Sequence, residues 1–207
     1  MRKLSLTNWI IILNVAVFIA ASLIISFSPS FINYVALNPA FILQGKYLWT
    51  FLTSMFMHAN IPHIALNMIS LFFIGNLVER LIGRKRFLAF YILSGLVAGI
   101  FFVLLAALFG MQLDISAVGA SGAIFGLGGL LAVLTPKLPV LVFFIIPMPM
   151  WLAMIFLLVA LWIISLLSGL LIGNTAHLGG LIVGLVYGLY LRRRYKRKVR
   201  ALNRYFR

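Results

Sequence analysis

Ser121 and His177 carry the chemistry this sequence can do. Ser121 stands in Gly119-Ala120-Ser121-Gly122, and His177 in Asn174-Thr175-Ala176-His177-Leu178-Gly179-Gly180. A serine hydroxyl is a weak nucleophile until a neighbouring base takes its proton. A desolvated imidazole is neutral near pH 7, so it can act as that base and later as the acid for a leaving amine. Acyl transfer also needs donors for the tetrahedral oxyanion, and the Ser121 backbone N–H, the His63 ring and the Asn67 amide are at hand. Only two acidic residues occur, Glu79 and Asp114. Glu79 lies at the far end of its apolar segment and Asp114 in the loop before Ser121, so the sequence predicts a Ser–His dyad rather than a triad.

The residues must be positioned by elements that live in lipid. Of 207 residues, 64% are hydrophobic and only 9% charged, whereas soluble domains carry about 25% charged residues. A membrane helix needs about 20 mainly apolar residues. Six candidates emerge: 9–27, 63–82, 87–109, 117–134, 151–169 and 176–191. The semi-polar stretch 28–60, with Pro29, Pro39, Tyr47 and Trp49, reads as a structured loop in the interface. Four prolines, Pro136, Pro139, Pro147 and Pro149, break helix between the fourth and fifth spans, and Val140–Ile146 reads as extended. The first run is expected to be a retained helix rather than a cleaved signal peptide. Residues 1–207 are expected to form a single membrane domain ending in a basic tail, 192–207.

Charge sets the expected orientation. Sixteen of the seventeen Lys and Arg fall on one side of this six-span topology, nine of them in the tail, and only Lys46 falls on the other. The positive-inside rule then places both termini in the cytoplasm. Cations next to apolar segments also point to anionic lipid headgroups as partners and argue against nucleic acid, despite the net charge of +15. His63, Ser121 and His177 then lie near the outer ends of three helices, at nearly one depth. Polar residues there are costly and face protein or water. Gly180, Gly184 and Gly188 share a face with His177, and Gly122 and Gly126 flank Ser121. Small residues four apart let helix backbones approach closely in lipid, so these two faces are expected to pack together. With no cysteine in the chain, thiol nucleophiles and disulfides are excluded.

At these residues the chain resembles the rhomboid intramembrane serine proteases. Gly119-Ala120-Ser121-Gly122 is similar to the family's Gly-x-Ser-Gly nucleophile motif. Ala176-His177 with Gly180 and Gly184 resembles the Ala-His-x-x-Gly-x-x-x-Gly of its last core helix. His58, His63 and Asn67 follow the family's second-helix pattern, and Glu79-Arg80 with Gly83 follows its next turn. The resemblance implies an all-α, six-helix bundle with a structured first loop. It makes Ser121 the nucleophile and His177 the general base, with His63, Asn67 and the Ser121 amide as the oxyanion hole. Phe125 would stack on the imidazole, Gly119, Gly180 and Gly184 would support the site, and no cofactor or metal is implied. Substrates would be single-span membrane proteins, cleaved near the outer face of a prokaryotic plasma membrane. The fifth helix and the loop 170–175 would gate their entry. The family's usual Trp-Arg is here Trp49-Thr50, a change expected to touch loop anchoring and not catalysis.

Two other classes fit less well. A catalytically inactive relative that binds membrane clients keeps the fold but typically loses the serine or the histidine, and both are present. A metal transporter using His58, His63 and His177 would need a polar path to the opposite face, which the sequence does not supply.

Overall fold

A computed structural model describes residues 4–110, 112–143, 145–169 and 173–206. Among the described residues, five helices are long and apolar enough to cross a membrane. They are α1 (Leu6–Phe27), α2 (Ile61–Ile82), α3 (Arg84–Phe109), α5 (Met150–Ser168) and α6 (Asn174–Arg194). Between α3 and α5 lies α4 (Ser121–Leu134), apolar but only 14 residues long. A short basic helix, α7 (Lys196–Asn203), follows α6. Part of the expected gating loop, residues 170–172, lies outside the described residues.

The burial pattern follows from who surrounds whom. Twelve of the fourteen α4 residues are buried, so the other helices enclose it. By contrast α1 buries only Thr7, Ile10, Asn14 and Ala21. It exposes Trp9, Ile19, Leu23 and Phe27 around the rest of its circumference. Continuous apolar exposure on helices whose own backbone bonds are satisfied is what a lipid environment permits.

Two expected boundaries are corrected. The fourth span was expected from Ala117, but Ala117 is extended and pairs with Leu37, and the helix begins at Ser121. Gly119, at φ +125°, makes the break, because no helix continues through that conformation. The expected single extended run 140–146 is instead a hairpin of β1 (Pro139–Val142) and β2 (Ile146–Pro149), with Val142 opposite Ile146. Short helices, Ile32–Val35, Pro39–Leu43 and Thr50–Thr53, occupy the stretch before α2. Thr50 is fully buried there and its hydroxyl donates to the Tyr47 carbonyl (2.7 Å). Trp49 Nε1 donates to the Tyr34 carbonyl (2.9 Å), and Tyr47 packs edge-on against Tyr34, Phe41 and Trp49. This aromatic cluster anchors the segment without an arginine.

At the end of the bundle remote from Ser121, Glu79 of α2 caps the start of α1. Its carboxylate accepts from the Leu6 and Thr7 backbone N–H groups (2.9 Å each) and the Thr7 hydroxyl (2.8 Å), and Arg84 lies 3.7 Å away. The first N–H groups of a helix have no partner within it, and a buried anion satisfies them well. Glu79→Gln keeps the shape but removes the charge. It is expected to lower unfolding stability by about 2 kcal/mol in a denaturation series.

Candidate active site

The turn before α4 uses its backbone donors in order. The Gly119 N–H donates to the Ser54 carbonyl (2.8 Å), and the Ala120 N–H donates to His58 Nε2 (3.5 Å). Ser121 follows as the first helical residue, so its N–H has no carbonyl within the helix to meet. The positive end of the helix dipole is thus directed at whatever sits beside the Ser121 hydroxyl.

That hydroxyl lies 2.8 Å from His177 Nε2. Ser121 comes from α4 and His177 from the first turn of α6. Glycine-to-glycine packing brings the two helices together: a β-carbon on Gly180 would collide with the Gly122 carbonyl, and one on Gly184 with the Gly126 carbonyl. Phe125, one turn after Ser121, stacks on the imidazole with ring centroids 4.6 Å apart and planes 12° apart. His177 is buried, and its Nδ1 has no hydrogen-bond partner among the described residues. With Nδ1 carrying the proton, Nε2 is free to accept from the serine. Among the described residues no carboxylate hydrogen-bonds the ring: its Nδ1 has no partner, and Glu79 is engaged at the start of α1.

His63 faces the same hydroxyl from α2. Its Nδ1 accepts from the Ala59 N–H (3.4 Å), which puts the proton on Nε2. The Nε2 edge rests against Gly119, where a β-carbon would fall 2.9 Å from Nε2 and 3.6 Å from Ser121 Oγ. Gly119 therefore keeps open the space between the His63 donor and the serine. Asn67 is buried one turn further along α2 and donates one amide proton to the His63 carbonyl (2.8 Å). A second amide proton remains. A cavity of about 490 Å³ adjoins the turn, bounded in part by Met57, His58, Ala59 and Val118.

His58 was legible only as a motif residue, with no role assigned. It is fully buried, and it joins the segment before α2 to the turn that opens α4, 62 residues later. Burial lowers its pKa from 6.5 to about 4, and the nearby His63 adds to the effect. The folded state therefore keeps His58 neutral where the unfolded chain already binds a proton. Stability contributed by this site is full above about pH 6.5 and declines as pH falls toward about 4. Thermal midpoints measured across that range should show the slope in the native chain and a shallower one in His58→Gln.

Comparison with known proteins shows the family. Residues 45–194 match the family model described as the Rhomboid domain. RHOMBOID-like protein 6, mitochondrial, of Arabidopsis thaliana is 36% identical over 152 residues, which cover 72% of this chain and 46% of the relative. Rhomboid protein 1, mitochondrial, of Saccharomyces cerevisiae is 29% identical over 160 residues, covering 74% and 46%. Rhomboid protease AarA of Providencia stuartii is 31% identical over 205 residues, covering 87% and 70%. The chain spans about half the length of the two mitochondrial relatives. On its family match and its apolar helices together, the chain is an integral membrane protein that belongs to the Rhomboid family.

Proposed function

We propose that the chain is an intramembrane serine endopeptidase that cleaves transmembrane segments of single-span membrane proteins with a Ser121–His177 dyad. The observation that carries the proposal is the 2.8 Å contact between Ser121 Oγ and His177 Nε2. In this reading Ser121 Oγ attacks the scissile carbonyl carbon as its proton passes to His177 Nε2. The oxyanion is held by the Ser121 N–H, the His63 Nε2–H and the remaining Asn67 amide proton. Collapse of the intermediate expels the amine, which takes the proton from His177. Water then attacks the acyl-serine by the same steps in reverse.

The bundle has six spans in this reading, with α4 as the sixth. At about 1.5 Å per residue its 14 residues extend about 21 Å, short of a hydrocarbon core of about 30 Å. A helix so short need not reach the membrane surface at its start, which is compatible with Ser121 at intramembrane depth. By the positive-inside rule we propose both termini on the cytoplasmic side and the dyad toward the opposite face. A prokaryotic plasma membrane is the proposed setting; the relatives include a bacterial protein and two named mitochondrial. Helix α5 buries only Met150, Ala153 and Met154, all in its first turns, which suits it to stand aside for a substrate. Anionic lipids are expected to surround the basic end.

The inactive client-binding alternative shares the fold and differs only in chemistry. A fluorophosphonate probe separates the two. Covalent labelling that is lost in Ser121→Ala supports the protease, whereas an unlabelled native chain refutes it.

A further inference from the structure

The basic tail is folded, and its fold reaches α4. Along α7 and its flanks, Tyr195, Val199, Leu202 and Asn203 are half-buried, while Lys196, Arg197, Lys198, Arg200 and Arg204 are exposed. Spacings of four, three and four put the half-buried residues on one helical face. Tyr195 and Val199 pack against the central apolar core. The Asn203 side-chain amide donates to the Leu134 carbonyl at 2.7 Å and to the Val199 carbonyl at 2.8 Å.

Leu134 is the last residue of α4, so its carbonyl is one that the helix cannot satisfy itself. Gly188 of α6 lies against Val133 and the Leu130 carbonyl, which fixes the level of α4's end beside the last turns of α6. If α7 simply prolonged α6, Asn203 would stand about 18 Å beyond Leu191. Its bond to Leu134 means that the chain turns at Tyr195 and crosses under α4. The apolar side of α7 closes the bundle, and its basic side faces outward.

Among the described residues, no carboxylate pairs with that basic side. Of the two carboxylates, Glu79 is held by Leu6, Thr7 and Arg84, and Asp114 precedes Ser121 at the other end of the bundle. The cations are therefore open to an external anion. The adjoining surface of α6 exposes Val186, Leu189 and Tyr190, so lipid chains border the cations directly.

From this placement we infer that the outward face of α7, with Arg192, Arg193 and Arg194, is a docking surface for anionic phospholipid headgroups. Through Asn203, its occupancy steadies the end of α4 opposite Ser121. The inference goes beyond the proteolytic reading and does not depend on it.

The test uses the full chain in nanodiscs of phosphatidylcholine, with or without phosphatidylglycerol. Native mass spectrometry reads retained lipid, and amide hydrogen exchange reads residues 131–134. The native chain should retain phosphatidylglycerol about tenfold over phosphatidylcholine and exchange more slowly at 131–134 when it is present. The combined variant Lys196→Gln, Arg197→Gln, Lys198→Gln, Arg200→Gln alters only exposed side chains and should lose both effects. Asn203→Ala should keep the lipid preference and lose the slowed exchange. Equal retention of the two lipids, or an unchanged preference in the fourfold variant, overturns the docking surface. Slowed exchange persisting in Asn203→Ala overturns the link to α4. The same slowing by a short RNA duplex or inorganic phosphate in phosphatidylcholine discs overturns the assignment to lipid. Neither readout involves cleavage, so an inactive protein would sink the proteolytic reading and leave this result standing on its own.

Discussion

Ser121→Ala is expected to lower cleavage of a reconstituted single-span substrate by about 10⁴-fold or more, and His177→Ala by a similar factor. The contact between the two side chains is the reason. Without the imidazole the hydroxyl keeps its proton, and without the hydroxyl the imidazole has nothing to activate. The two act as one unit, so the double variant should be no slower than either single one. That non-additivity separates catalysis from general damage, which would accumulate. Ser121→Ala removes one neutral hydrogen bond, worth about 1 kcal/mol, and should keep a near-native thermal midpoint. His177→Ala also empties the buried space where the ring stacks on Phe125, at a cost of about 2–4 kcal/mol, so His177→Gln, which keeps much of the volume, is the folded control. His63→Ala removes one oxyanion donor and should cost less, about 10²- to 10³-fold. Near-native turnover by either dyad variant would end the proteolytic reading.

What could be read beforehand divides by whether a residue type leaves a mark. The α4–α6 contact was legible because only glycine permits it, and Gly122, Gly126, Gly180 and Gly184 stand four apart in each helix. Phe125 was legible through the family resemblance, which implies an aromatic ring one turn beyond Ser121. The start of α4 was misplaced at Ala117 because hydropathy does not register that Gly119 takes a positive φ. The partners of Glu79 were invisible for another reason: they are mainly the backbone amides of Leu6 and Thr7, which any residues would supply. The Asn203 bond to Leu134 escaped notice in the same way, since its acceptor is a carbonyl. His58 lay in plain view as a motif residue, yet its role rests on a contact to Ala120 that sequence separation conceals.

The second large effect concerns the helix interface, and a matched pair of methyl additions isolates it. Gly184→Ala and Gly128→Ala place the same group on α6 and α4, and each gains about 1 kcal/mol in helix propensity. What the new methyl meets decides the outcome. At Gly184 it meets backbone: the Gly126 carbonyl, the Leu130 nitrogen at 2.8 Å and the Gly129 Cα at 2.9 Å. None of these can move without moving α4. At Gly128 it meets the thioether end of Met154, a flexible side chain that can swing aside. Overpacking against a rigid wall costs about 1–3 kcal/mol or more, enough to cancel or outweigh the propensity gain at Gly184. Displacing α4 from α6 also stretches the bond from Ser121 to His177, and a shift of about 1 Å can cost about 10²-fold in rate. Gly184→Ala should therefore lose about 10²-fold or more in cleavage and melt no higher than the native chain, while Gly128→Ala stays close to native in both. Equal behaviour of the two variants would mean that the glycine contact does not hold the dyad together.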